Sequence, residues 1–184
     1  MHSLVSGLTK VRRFRCFYPA LLLVFAGPIA TLAQPGPSPR LSLGTNTNDN
    51  APVGFVGEFV SSSVASGSAV ALTTATNANV TSISLTAGDW EVAGEVWQTL
   101  AGGASPTVGQ AGISTSSTTF GSGPGTGSRA IIPATIGANQ VPVIVLAPCR
   151  LSLASTTTVY LIGEALFGSG TVSAYGVITA RRMR

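Results

Sequence analysis

The chain has 184 residues, enough for one domain, with 45% hydrophobic but only 9% charged residues, a composition that excludes a disordered protein. Glycine, serine, threonine and valine are abundant, which favours strands and turns over helices. The formal net charge of +4 comes from basic residues before position 16, and the remaining six arginines match six acids, so no nucleic-acid partner is expected.

Residues 1–33 have the layout of a secretory signal peptide. Four basic residues between positions 10 and 15 precede an apolar stretch, residues 20–33, and small residues indicate cleavage after Ala33. An uncleaved membrane anchor is the alternative, although the apolar run falls short of the ~20 residues of a span and contains Pro28. We therefore expect a secreted or cell-surface protein, with a membrane contact only if this segment stays attached.

Residues 34–50 are rich in Pro and Asn and are predicted to be a linker before a folded domain, residues 51–184. Beyond residue 33 the chain has one cysteine, Cys149, and neither histidine nor lysine. In the mature chain, after removal of residues 1–33, an intrachain disulfide, a Ser-His-Asp triad, a Schiff base and an imidazole metal ligand are thereby excluded. We expect no enzyme activity, no metal and no cofactor from these residue types.

The domain consists of short segments of alternating hydrophobicity separated by turn residues, with no helical period of useful length. The predicted strands are residues 53–60, 68–72, 79–87, 90–96, 107–114, 129–132, 141–146, 149–153, 158–167 and 171–180. Pro142 indicates an edge position or a strand start. The pattern predicts an all-β fold, an antiparallel β-sandwich of the jelly-roll type.

Residues 86–96 are predicted to form a hairpin in which Gly88-Asp89 turns the chain between two strands. Alternation places Glu91 and Glu95 away from the core, and Trp97 falls on the same face, where it is a candidate for subunit or ligand contact. The residues predicted to lie in the structural core are Ile83, Leu85, Trp90, Val92 and Val96.

Residues 158–167 form a predicted strand that is apolar on both faces, and it is expected to form a closing hairpin with residues 171–180. A strand of this kind is covered on both faces, which in a two-sheet sandwich indicates an oligomer interface. The candidate contact residues are Trp97, Tyr160, Ile162 and Leu166.

Residues 120–128 are glycine-rich, but no Lys follows them and no helix opens after them, so the run predicts a connection between strands rather than a phosphate loop. Together with residues 101–106, this exposed loop is a candidate for ligand recognition. The arginines at positions 181, 182 and 184 are predicted to form a solvated tail.

Two sets of motifs resemble known proteins. The Ala-Gly-Asp-Trp entry to the strand in residues 86–96, with the closing Ser-Ala-Tyr-Gly-Val-Ile of residues 173–178, resembles the trimeric jelly-roll heads of the complement and tumour-necrosis-factor-like superfamily. The opening at residues 56–62 and the ending at residues 175–184 resemble short phage tail-fibre-like proteins of bacterial and prophage genomes. The resemblance covers residues 50–184 and implies a homotrimer, with a phage virion as the alternative location.

These features predict a non-enzymatic, exported or virion-like binding or structural head that recognises a surface glycan or protein through its loops. One alternative is a carbohydrate-active enzyme with paired carboxylates among Asp89, Glu91, Glu95 and Glu164. The two glutamates of the central strand are about 13 Å apart, beyond the ~5–9.5 Å of glycosidase pairs, but Glu164 could approach either of them. A second alternative is a self-associating surface or matrix protein.

Overall fold

The computed structural model describes residues 50–123 and 125–184, so the predicted signal peptide and all of the predicted linker except Asn50 lie outside the described residues. In this part, the chain forms nine strands and one short 3-10 turn, Ser66–Ser68. The strands are β1 (Phe59–Val64), β2 (Val70–Leu72), β3 (Ala78–Leu85), β4 (Gly88–Ala101), β5 (Val108–Ser114), β6 (Gly127–Ile132), β7 (Val143–Leu153), β8 (Thr157–Leu166) and β9 (Thr171–Arg182).

The strands form two antiparallel sheets that pack face to face. One sheet has the order β1-β9-β4-β7, with β2 also pairing with β9, and the other has the order β3-β8-β5-β6. Most strands that follow one another in the chain lie in opposite sheets, which is the connectivity of a jelly roll. The predicted all-β, antiparallel sandwich is confirmed.

The two predicted hairpins are wrong. β3 ends at Leu85 and pairs with β8, whereas β4 begins at Gly88 and pairs with β7 and β9 in the other sheet. β8 and β9 are divided between the sheets in the same way. A tight glycine turn can carry the chain across the edge of a sandwich as well as between paired strands, so the local sequence does not distinguish the two arrangements.

The predicted strand at residues 53–60 is mostly turn, because β1 begins only at Phe59. The Phe55 N–H donates to the Pro52 carbonyl at 3.0 Å, and the Glu58 N–H donates to the Phe55 carbonyl at 3.0 Å. These bonds close two successive turns, so the alternation of apolar residues in this segment does not come from a paired strand.

The predicted segments on either side of Ala147 and Pro148 are one strand, β7. The register shifts between its partners Val92 and Gly94 of β4, so β7 carries an extra residue there, a β-bulge. β7 is an edge of its sheet and begins directly after Pro142, which confirms the position predicted for that proline.

The core lies between the sheets. The predicted core residues have exposed fractions of 4% for Ile83 and 0% for Leu85, Trp90, Val92 and Val96. The indole N–H of Trp90 donates to the Thr86 carbonyl at 2.9 Å, so the polar atom of this large side chain is satisfied.

Candidate functional site

The outer face of the β1-β9-β4-β7 sheet carries an apolar cluster. The outer-face cluster is defined as Glu95, Trp97, Val143, Val145, Tyr175 and Val177, which lie in two adjacent rows across β9, β4 and β7. The rings of Trp97 and Tyr175 stack with their centroids 6.0 Å apart and their planes at 26°. Val145 is 66% exposed, and the other members are half-buried. Five apolar side chains thus surround one carboxylate on a solvent-facing sheet.

Sequence reasoning identified one part of this cluster. Trp97 was predicted from its phase in β4, and it lies on the outer face as its phase implies. Tyr175, Val143 and their neighbours were missed because the sequence does not show which strands flank β4. Alternation within β9 and within β7 indicates which of their residues share a face. It does not show that these faces lie beside β4, so it could not identify the cluster without the strand order.

The other predicted contact residues lie on the opposite side of the sandwich, on the outer face of β8. Leu166 is 43% exposed and Tyr160 is half-buried, so both are accessible to a partner. Ile162 is 0% exposed, and its prediction as a contact residue is corrected. Ile162 is covered within its own chain.

The loop between β5 and β6 explains the burial of Ile162. On the two flanking strands, Ile162 pairs with Asn79 and with Gly112. The Oδ1 of Asn79 accepts a hydrogen bond from the Thr118 N–H at 2.9 Å, which holds the loop against β3. The Phe120 ring lies against Gly112, where a larger residue would collide with it. The outer face of β8 is therefore covered around Ile162 by a loop of the same chain, while Tyr160 and Leu166 stay accessible.

The carboxylates considered for catalysis do not come together. Glu91 and Glu95 lie on the outer face of β4, whereas Glu164 lies on the outer face of β8 in the other sheet. Two packed sheets are about 10 Å apart, and these side chains project away from each other. The expectation that Glu164 could approach Glu91 or Glu95 is wrong.

Asp89 binds two arginines at the entry to β4. Its Oδ1 accepts from Arg150 Nε at 2.6 Å, and its Oδ2 accepts from Arg150 Nη2 at 2.6 Å and from Arg184 Nε at 2.7 Å. The hydrogen bonds from Arg150 lower the pKa of Asp89 to about 2, against the raising effect of burial and with a further contribution from Arg184. The carboxylate is therefore ionised and fixes the position of Arg150.

The predicted solvated tail is wrong for Arg182, which is 4% exposed at the end of β9. Its guanidinium donates to Glu58 Oε2 at 2.8 Å, to the Ala87 carbonyl at 2.9 Å and to the Thr86 hydroxyl, and it lies 4.2 Å from the Trp90 ring centroid. Burial alone would raise the pKa of Glu58, but the hydrogen bonds from the Gly54 N–H and from Arg182, with the charge of Arg182, outweigh it and lower that pKa.

An open groove of about 1080 Å³ lies between β7 and the loop that precedes β6. It includes most of the glycine-rich loop predicted for ligand recognition, whereas residues 101–106 do not line it. Arg129 and Arg150 line the groove together with Cys149, and no Asp or Glu is among its described lining residues. The described lining thus includes two arginines and no acidic residue.

Arg129 is held in place at the groove by two neighbours. Its Nε donates to Gln110 Oε1 at 3.0 Å, and its Nη2 donates to the same oxygen. The guanidinium carbon lies 4.6 Å from the Phe120 ring centroid, a cation–π contact. Arg129 and Arg150 were not identified as a pair from the sequence, because they lie on different sheets and share no local motif.

Among the described residues, no group of three His, Cys, Asp or Glu side chains is placed to hold a metal ion. Residues 50–123 and 125–184 contain no helix that is long and apolar enough to cross a membrane. Cys149 is a half-buried free thiol, and burial raises its pKa.

Comparisons with known proteins identify no family for this chain. No protein-family model matches the chain, and no curated protein matches it. Among solved structures, a chain in the structure of the infectious bursal disease virus Gx strain is similar over 66% of this chain, with 12% identity and a TM-score of 0.41. The match spans 30% of that viral chain.

Proposed function

We propose that this protein is a non-enzymatic binding head, exported or displayed, that assembles as a homotrimer and recognises a surface ligand through its loops. The observation that carries the proposal is the outer-face cluster. Apolar area that stays in water costs about 25 cal/mol per Å², and packing against copies of the same chain removes that cost. The resemblance to trimeric jelly-roll heads supplies the number of subunits.

The geometry of the cluster suits a contact between copies. The stacked rings of Trp97 and Tyr175 supply a large and rigid apolar surface at the centre of three paired strands. Aromatic residues are enriched where subunits meet, and strands lose little conformational entropy on association because their backbone is already ordered. Glu95, in the same cluster, would be desolvated by the contact and would determine how neighbouring copies are oriented.

A trimer would also explain how loops of modest size could bind a surface. Three copies of the glycine-rich loop on one particle give an avidity that exceeds the affinity of one loop by orders of magnitude, about 10²–10⁴ for linked sites. A repetitive ligand such as a surface glycan is the target for which this gain is largest.

The test compares binding of the purified protein to a glycan array and to intact cell surfaces. Val145→Arg places a charge in the outer-face cluster and is expected to lower apparent affinity about 100-fold by separating the subunits. Ile131→Arg makes a matching change at an exposed position on the outer face of the other sheet and should bind as wild type. Binding by Val145→Arg that equals wild type, or wild type that binds neither surface, would contradict the proposal.

A further inference from the structure

We propose that the groove between β7 and the loop preceding β6 binds an acidic glycan, a sugar chain that carries carboxylate groups. The inference rests on the proposed function, since it assigns a ligand class to one of the recognition loops. Arg129, in β6, and Arg150, in β7, both line the groove, so an elongated anion bound there would lie beside two arginines. Guanidinium groups bind carboxylates through two parallel hydrogen bonds, which favours Arg at such sites.

The groove differs in charge from the rest of the domain, in which acidic and basic residues are balanced. Among the described residues, the ion pairs join Arg182 to Glu58 and join Arg150 and Arg184 to Asp89, and none includes Arg129. Arg150 is compensated by Asp89 and lies opposite Glu91 of β4, so Arg129 contributes the positive charge that an approaching anion would meet.

Both guanidinium groups are already positioned. Two hydrogen bonds of 2.6 Å hold Arg150 on Asp89, while Gln110 and the Phe120 ring hold Arg129. An arginine that is free in solution loses rotamer entropy when it binds a ligand, and that loss is smaller for a side chain that is held in place. Arg150 and Arg129 can each donate a hydrogen bond to a ligand atom, because their side chains are exposed.

The remaining lining favours a hydroxyl-rich ligand over a protein. Ser122, Ser128 and Ser152 line the groove together with glycine backbone, and its described lining includes no aromatic or long aliphatic side chain. Protein partners are anchored by aromatic or large apolar side chains in apolar pockets, which this groove does not offer. Hydroxyl and backbone groups with two guanidiniums match the hydroxyl and carboxylate groups of a uronic-acid chain.

The loop tip is closed by its own hydrogen bonds. The Thr126 hydroxyl accepts from the Gly123 N–H at 3.1 Å and donates to the Gly123 carbonyl at 2.8 Å. Gly123 and Gly125 both line the groove, and a Cβ built on either would meet nothing within 4 Å.

The experiment measures binding of the full chain to oligogalacturonate by calorimetry, with the carboxyl-reduced form of the same oligosaccharide as the matched ligand. We expect reduction of the carboxyl groups to weaken binding at least about tenfold, and a rise from about 50 to about 300 mM salt to weaken the binding of the acidic form. Equal binding of the two oligosaccharides would overturn the inference. A protein that binds other glycans but not oligogalacturonate would overturn it as well, while leaving the proposed function intact.

Two variants locate the site. Arg129→Gln removes one guanidinium, and Ser122→Glu adds a carboxylate to the exposed groove lining; each is expected to weaken binding of the acidic oligosaccharide about tenfold or more. Arg181→Gln and Ser169→Glu make the same chemical changes at exposed positions outside the groove and should bind as wild type. Ser122→Glu with wild-type affinity would place the ligand elsewhere and overturn the inference.

Discussion

The guanidinium of Arg182 donates to the carboxylate of Glu58 at 2.8 Å, and both side chains are buried where β9 ends beside the start of β1. Removal of one member of a buried pair leaves the other charge without compensation. We expect Arg182→Met to lower the free energy of unfolding by about 3 kcal/mol, measured by urea denaturation at fixed protein concentration.

The neighbouring arginine provides the control for that measurement. Arg181 is exposed on the outer face of the same strand, and Arg181→Met should change the free energy of unfolding by no more than about 0.5 kcal/mol. Equal losses in the two variants would show that the pair with Glu58 does not stabilise the fold. A double variant, Glu58→Leu with Arg182→Met, should regain part of the loss because no unpaired charge remains.

The pKa of Asp89 predicts how stability depends on pH. Its value of about 2 in the folded protein lies below its ordinary value of 3.8, so the ionised carboxylate stabilises the fold above about pH 4. That contribution is lost as pH falls through about 2. Wild type should therefore lose more stability between about pH 4 and about pH 2 than Asp89→Asn, as followed by thermal unfolding. Glu58 is present in both proteins, so identical pH profiles would contradict the role of Asp89.

Gly176 is required by the close approach of β4 to β9. A Cβ built on Gly176 would overlap the Glu95 carbonyl oxygen and lie 3.1 Å from the Val96 Cα. We expect Gly176→Ala to cost about 2 kcal/mol or more, since neither backbone can move away without breaking the sheet. Gly168→Ala is the control, because a Cβ there meets nothing within 4 Å. Urea midpoints that shift equally in the two variants would contradict this explanation.

The cover over Ile162 can be tested by hydrogen exchange. Asn79 holds the loop between β5 and β6 through its side-chain amide, which donates to the Ser117 hydroxyl at 2.8 Å and accepts from the Thr118 N–H. We expect Asn79→Ala to speed amide exchange in residues 116–120, because the loop would open more often. Ser82→Ala on the same strand should leave that exchange unchanged. Equal exchange in wild type and Asn79→Ala would show that other contacts hold the loop.

The features of the fold that depend on hydrophobic periodicity and on composition could be predicted from the sequence. Alternation alone identified Trp90, Val92 and Val96 as core residues, since side chains two positions apart share a face of any strand. The sandwich class followed from many short strands without helices. The sheet to which each strand belongs did not follow, because the turn at Gly88 looks the same in a hairpin and at the edge of a sandwich.

The remaining prediction errors concern residues whose contacts come from distant parts of the sequence. Glu58 and Arg182 are 124 positions apart, and nothing near Arg182 in the sequence indicates that it is buried. Ile162 is covered by a loop some 40 residues away, so its apolar face looks available until the fold brings that loop over it. The groove likewise combines Arg129 from one sheet with Arg150 from the other.

The molar mass of the purified protein in solution tests the central claim most directly. Sedimentation equilibrium at micromolar concentration should give three times the protomer mass for wild type and Ile131→Arg, and a single protomer mass for Val145→Arg. A discrete trimer is the result expected if the outer-face cluster joins the subunits of a binding head. Wild type that sediments as a monomer, or as open-ended polymers typical of a matrix protein, would contradict it.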